Sequence, residues 1–416
     1  MRTELETVAL INAELVTCRG RGGRDEQNPV GVIDDGALFA RQGKVVWVGP
    51  TKELRRKSWG KASKVVDAEG SLVTPGLVDP HTHVLFAGTR EDELDRKARG
   101  ETYAQILESG GGITRTMRET KAASSSRIIS ESMARLNQLK AAGVTTVELK
   151  TGYGDDTREE LRALELISRL GKMSGIDVVP TFLGLHAVPS GAKRPDYVRR
   201  VIGETLPAVA AGKFRPEFAD CFCEEGVFSA KECGSFLKAA RVLGIKRKIH
   251  ADEFSDSGGA AIAAANGCTS ADHLGYARRG SGRLMANAGV VVVVLPMTSL
   301  NSKAKFADVK SLHADRCRVA LGTDLSPNTW VESPQSVMGL ACSALNMTAD
   351  ESLRGFTTEA AAAIAKTDVG RLEAGCKADF VVHSYNDYRS IPYRIGGRYV
   401  KEVYKAGRMT WRSEQN

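Results

Sequence analysis

The sequence predicts an α/β protein: a (β/α)8 TIM-like barrel with a small β-sandwich domain built from both chain ends. Three observations predict it. Apolar, β-rich runs alternate with amphipathic stretches through the middle of the chain, as in a parallel sheet buried on both faces. There are eight such runs, the number that closes a barrel. Histidine and aspartate stand at the C-terminal ends of several runs, which is where such barrels carry chemistry. A doubly wound sheet is the alternative architecture. With 416 residues, 42% hydrophobic and 26% charged, the chain can form one large unit and one small one. The expected division is 1–70 plus 371–416 for the small β domain and 71–370 for the barrel.

The elements follow in order. Residues 8–15 and 44–48 read as strands, with Gly36 and Gly43 as turn signals. From Leu72 the apolar runs are 72–78, 144–149, 178–183, 217–222, 248–250, 269–273, 290–295 and 318–321. Helical periodicity covers 127–141, 158–170, 230–243 and 258–265 between them, and 335–346 and 358–365 after the last. From Gly370 the chain is strand-rich again, at 380–383 and 400–404, with Gly407 as a turn. Both ends therefore contribute to one small β unit.

Composition narrows the function classes. The net charge is +8, but the basic residues fall in short scattered runs such as Arg55-Arg56-Lys57 and Arg278-Arg279. Such runs are usually solvated faces, so no nucleic-acid partner is expected. A modest positive balance suits an acidic substrate. The eight cysteines lack the density of a disulfide scaffold and read as reduced thiols of a cytoplasmic protein. Cys221 and Cys223 share a strand face, but no second pair completes a metal site. Arg2, Glu4 and Glu6 without a long apolar core argue against a signal peptide. The longest apolar run, 290–295, is far too short for a bilayer, so no membrane partner is expected. A homodimer is the expected assembly.

The chemistry concentrates in Val78-Asp79-Pro80-His81-Thr82-His83. His81 and His83 are two apart on a strand end, so both rings point to one face and reach one metal ion. His250, His273 and Asp324 end three further runs. Neutral imidazoles with one carboxylate suit zinc or iron(II). A hydrolytic ion also needs an open position for water, whose pKa it lowers.

With Pro75-Gly76-Leu77 before that motif, Gly322-Thr323-Asp324, and the tail from Gly370 to Val382, the chain resembles the amidohydrolase superfamily. Within it the chain is similar to the imidazolonepropionase family. The matching elements include His83-Val84-Leu85-Phe86-Ala87-Gly88-Thr89-Arg90, Gly110-Gly111-Gly112-Ile113 and Lys150-Thr151-Gly152-Tyr153-Gly154. Thr181 to Ala187, His250-Ala251-Asp252-Glu253-Phe254-Ser255 and Ser270 to Leu274 complete the set.

The resemblance implies opening of the ring of 4-imidazolone-5-propanoate to N-formimidoyl-L-glutamate in histidine breakdown. It implies one zinc or iron ion per chain, held by His81, His83, His250 and Asp324. Members with two metals bridge them through a modified lysine or a carboxylate, commonly on the fourth strand. Here 217–222 offers no lysine, and Lys150 ends the second strand. His273 would ligate metal or, as mononuclear relatives place it, hold the reacting water as general base. Asp324 would also shuttle that proton, and Glu253 would protonate the departing ring nitrogen. Arg90 would clamp the carboxylate tail of the substrate. Tyr153 would hydrogen-bond the substrate, and His186 would donate to its ring carbonyl or carboxylate. The plain alternatives are a salt-bridged Arg90, a packed Tyr153, a structural His186 and a helix-starting Glu253. After the aspartate, where the family continues Asn-Pro-Gly, this chain has Ser326-Pro327-Asn328. Ser326 and Asn328 are expected to face the amino-acid end of the substrate. Rival activities are hydrolysis of another cyclic amide or amidine and deamination of an amino-heterocycle.

Overall fold

The computed structural model describes residues 6–20, 27–57 and 62–414; Arg2 and Glu4 lie outside them. The amino-terminal strands are β1 (Thr7–Val16), β2 (Val32–Arg41), β3 (Lys44–Pro50), β4 (Lys64–Asp67) and β5 (Leu72–Pro75). Eight parallel strands follow, β6 (Leu77–Asp79), β7 (Val144–Lys150), β8 (Asp177–Leu185), β9 (Phe218–Cys223), β10 (Lys246–Ala251), β11 (Ser270–His273), β12 (Val291–Val294) and β13 (Val319–Leu321). The tail adds β14 (Phe380–His383), β15 (Val400–Lys405) and β16 (Arg408–Arg412).

β6 to β13 pair in sequence order. The seam between first and last is closed at the mouth: His83 N–H donates to Leu325 O at 2.9 Å, and Asp324 N–H to His81 O at 3.1 Å. The result is the (β/α)8 barrel, with helices such as Ser125–Ala141, Thr157–Ser174 and Ala230–Val242 packed outside. Strand alternation sorts the side chains. On β9, Ala219, Cys221 and Cys223 pack outward, while Phe218 lies with Val78, Val179, Val291 and Val293 in an inner apolar layer. Glu148, Lys150, Asp220, Lys248 and Asp272 fill the layer above it, all fully buried.

The terminal strands form one sheet, in the order β16-β15-β14-β5-β1-β2-β3, with β4 also on β1. This is one sheet forking at β1 rather than two separate ones. Leu10, Leu15, Leu38, Val66, Val73, Phe380 and Tyr404 from both branches share its core. Two expectations change here. The run 72–78 is two strands: β5 joins β1 and β14, and only β6 belongs to the barrel. Gly36 is not a turn but lies within β2, opposite Ala13. A Cβ there would stand 2.4 Å from that of Leu15, so close strand approach, not chain reversal, requires the glycine.

Candidate active site

Four ligand atoms converge at the barrel mouth. Nε2 of His83 lies 3.3 Å from Nε2 of His81 and 3.3 Å from Nε2 of His250. Oδ1 of Asp324 stands 3.5 Å from the His81 nitrogen and 3.4 Å from that of His83. A tetrahedral ion with bonds of about 2.0–2.1 Å imposes ligand separations of about 3.3–3.4 Å. The donor set thus fits one small transition-metal ion.

The tautomers agree with that use. His81 Nδ1 lies 2.6 Å from Asp272 Oδ2. The carboxylate accepts, so Nδ1 carries the hydrogen and Nε2 presents its lone pair. His250 Nδ1 lies 3.1 Å from Asp220 Oδ2, off the line of a straight hydrogen bond. Burial, then the charge of Lys150, holds His81 well below the usual imidazole range; burial, then His186, does the same to His83. Both are neutral, the form a metal binds. Burial pushes the Asp324 carboxyl up to about 6. Its Oδ2 accepts from Thr298 Oγ1 at 2.6 Å, leaving Oδ1 to the cluster.

Beneath the ligands lies an ionic layer the sequence reading did not assign. Lys150 Nζ contacts Asp220 at 2.7 Å and Glu148 at 2.9 Å, and Lys248 Nζ contacts Glu148 at 2.8 Å and Asp272 at 3.4 Å. Glu148, Asp272 and His81 form another metal-competent cluster, but the two ammonium groups already sit on its carboxylates. Burial alone would raise Asp220, yet Lys150 and His250 bring it well below the usual carboxylate range. The available signal was charge at alternate positions inside otherwise apolar strands.

The proton-moving candidates adjoin the cluster. His273 offers a ring nitrogen within 4.8 Å of ligand atoms of His81 and Asp324. Asp272 points inward to His81, so strict alternation would turn His273 outward; its φ of 79° swings it back over the mouth. Its Nε2 is buried and has no hydrogen-bond partner among the described residues, and burial keeps the ring neutral. Glu253 Oε1 lies 3.6 Å from His273 Nδ1. Burial, then the charges of Asp324 and Glu224, raises the Glu253 carboxyl well above its ordinary range, which favours its protonated form. Glu224 and Asp252, both unassigned from sequence, brace the loop carrying Glu253. Glu224 accepts from Phe254 N–H at 2.9 Å, from Ser257 Oγ at 3.2 Å and from the Ser255 hydroxyl. Asp252 accepts from the N–H groups of Ser257, Gly259 and Ala260 at 2.9–3.0 Å.

Around this core stand the expected substrate contacts. Tyr153 and His186 flank His83, with ring centres 6.3 and 5.2 Å away. His186 Nδ1 lies 3.0 Å from Gly152 O. A Cβ on Gly152 would come within 2.9 Å of that nitrogen, so the contact needs glycine. A carbonyl only accepts, and burial holds His186 neutral, with its pKa down to about 3. Its Nε2 is therefore an acceptor, which reverses the expected donation to substrate. Arg90 is buried and its Nη2 ion-pairs with Glu93 at 2.6 Å, while its Nε has no hydrogen-bond partner among the described residues. Ser326 turns to its own loop, its Oγ accepting from Thr329 N–H at 3.1 Å. Asn328 accepts from Lys97 Nζ at 3.0 Å through Oδ1.

Residues 90–411 match the Amidohydrolase family. The chain is 43% identical over 403 residues to an imidazolonepropionase of Symbiobacterium thermophilum, covering 95% of each. The chain belongs to the imidazolonepropionase family of amidohydrolases. It is also 41% identical to an imidazolonepropionase of Geobacillus kaustophilus, covering 95% of this chain and 96% of that one. Among solved structures, a triazine hydrolase from Arthobacter aurescens superposes with a TM-score of 0.76 at 18% identity, covering 99% and 96%. That likeness is one of fold. In this imidazolonepropionase-family barrel, His81, His83 and His250 form one buried group of donors that could hold a metal ion at the mouth, and His81, His273 and Asp324 form another.

Proposed function

We propose that this chain is a hydrolase of cyclic-amide C–N bonds that converts 4-imidazolone-5-propanoate to N-formimidoyl-L-glutamate in histidine degradation. The carrying observation is the set of four donor atoms at metal-ligand spacing, with His273 and Glu253 beside them, in a chain of this family. One zinc or iron ion, held by His81, His83, His250 and Asp324, would polarise the ring carbonyl and acidify a water. Lys150, held by its carboxylates, is not free to bridge a second ion.

The protein groups divide the remaining work. His273 accepts the proton of the attacking water at Nε2. Asp324 would hold the ion through Oδ1 and could relay that proton. The carbonyl C–N bond breaks, its electron pair goes to the ring nitrogen, and protonated Glu253 delivers a proton there. His186 Nε2 accepts a ring N–H and so fixes which face of the ring meets the water. Tyr153 packs beside it, and Arg90 meets the carboxylate tail. Eight unpaired cysteines fit a reducing cytoplasm, and no helix among the described residues is long and apolar enough to cross a membrane.

The test is turnover by metal-replete enzyme, read by loss of the ring chromophore together with an ammonia assay. Chromophore loss without ammonia supports the reading. Ammonia release would make the enzyme a deaminase, and inertness towards this substrate would overturn the assignment.

A further inference from the structure

The carboxylate-binding end is short of charge. Arg90 is neutralised by Glu93, whose other oxygen accepts Gly112 N–H at 2.7 Å. A clamp that is itself an ion pair adds little net attraction for an anion. A second cation lies close by. Lys97, on the helix Asp92–Ala98, is half-buried; its ammonium is held by the neutral amide oxygen of Asn328 at 3.0 Å. Lys97 follows Glu93, the partner of Arg90, by four residues on that helix, so it stands on the face that carries the Arg90 pair.

The helix Pro296–Ser302 locates this pair relative to the metal ligands. Thr298 donates to Asp324, and Asn301 donates through Nδ2 to the backbone oxygen of Asn328. Thr298 and Asn301 are three apart, neighbours one turn along the same face. One helix thus braces both Asp324 and the Asn328 that holds Lys97, which ties the lysine to the Asp324 side of the site.

We infer that Lys97 is a specificity-determining residue that takes the substrate's carboxylate together with Arg90, with the Asn328 amide holding its place in the free enzyme. This rests on the functional reading above and deepens it. It also gives the Ser326-Pro327-Asn328 loop a role: Asn328 aims the lysine without consuming its charge.

Wild type, Lys97→Met and Asn328→Asp are compared on imidazolone propanoate and on its propanamide counterpart, the latter as substrate or as competitive inhibitor. Lys97→Met should raise KM for the acid about 10- to 100-fold, the loss of one charge-assisted pair, with kcat nearly constant and the amide scarcely affected. Asn328→Asp keeps the lysine but gives it a permanent carboxylate, so it should raise KM for the acid in the same sense. Equal losses on acid and amide, or an unchanged KM for the acid in both variants, overturn the inference while leaving the enzyme's function intact. A wild type that does not turn over the acid overturns the functional reading itself, and the role of Lys97 with it.

Discussion

Asp324 donates its backbone N–H to the carbonyl of His81 at 3.1 Å, so the residues that offer ligand atoms from the first and last strands also close the barrel between them. Asp324 does so with a φ of 51°, in the left-handed region that costs a non-glycine residue about 1–3 kcal/mol. Asp79 buttresses the same seam, accepting from Thr323 Oγ1 at 2.6 Å and Thr323 N–H at 3.1 Å. The proposed metal site and the barrel closure thus share His81 and Asp324.

Metal removal should therefore weaken the fold as well as abolish turnover. A ligand at a thousand times its Kd stabilises by about 4 kcal/mol. Chelated enzyme should melt several degrees lower by calorimetry, and added zinc or iron(II) should restore the transition. Elemental analysis should return one ion per chain. An unchanged melting temperature on verified metal loss would contradict the linkage, and two ions would contradict the single site.

As the proposed proton donor, Glu253 should set the alkaline limb of the pH profile. It acts only while protonated, and its pKa is raised by burial and by the charges of Asp324 and Glu224. Activity is then present below that raised pKa and lost as pH rises through it. Glu224→Gln removes a negative charge beside it, eases its ionisation, and should move the limb to lower pH. Glu253→Gln and His273→Asn should each lower kcat by about 10²–10⁴-fold with metal retained. Metal loss from His273→Asn would instead make His273 a ligand, and an unmoved limb in Glu224→Gln would refute the coupling.

The buried ionic layer is balanced by Lys150. Lys150→Met leaves Asp220 and Glu148 without the ammonium that contacts both. Stranding a buried charge in this way costs about 3–5 kcal/mol. Denaturation midpoint and metal content should both fall. Retention of both would show that the layer does not support the ligands.

What the sequence could reveal depended on distance along the chain. The eight runs, the His81–His83 pair and the strand-end positions of His250, His273 and Asp324 are local patterns, visible as alternation and spacing. The split of 72–78 was not, because β5 and β6 are equally apolar and only pairing with β1 and β14 separates them. Gly36 looks like a turn until Leu15 is seen against it. The Lys150–Asp220 and Lys97–Asn328 contacts span 70 and 231 residues, beyond any periodicity. His186 was legible as a site residue, but its role as acceptor depends on the Gly152 carbonyl 34 residues away. A positive φ at Asn328, which would have favoured glycine there, is absent.

The bond that breaks is the most direct test of the whole account. Turnover of imidazolone propanoate in ¹⁸O water, followed by fragment mass spectrometry, locates the oxygen that enters. One heavy oxygen is expected in the newly formed carboxylate of N-formimidoyl-L-glutamate, next to the carbon that bears the formimidoyl nitrogen. Label on the one-carbon fragment between the two nitrogens, or release of ammonia, would contradict attack at the ring carbonyl.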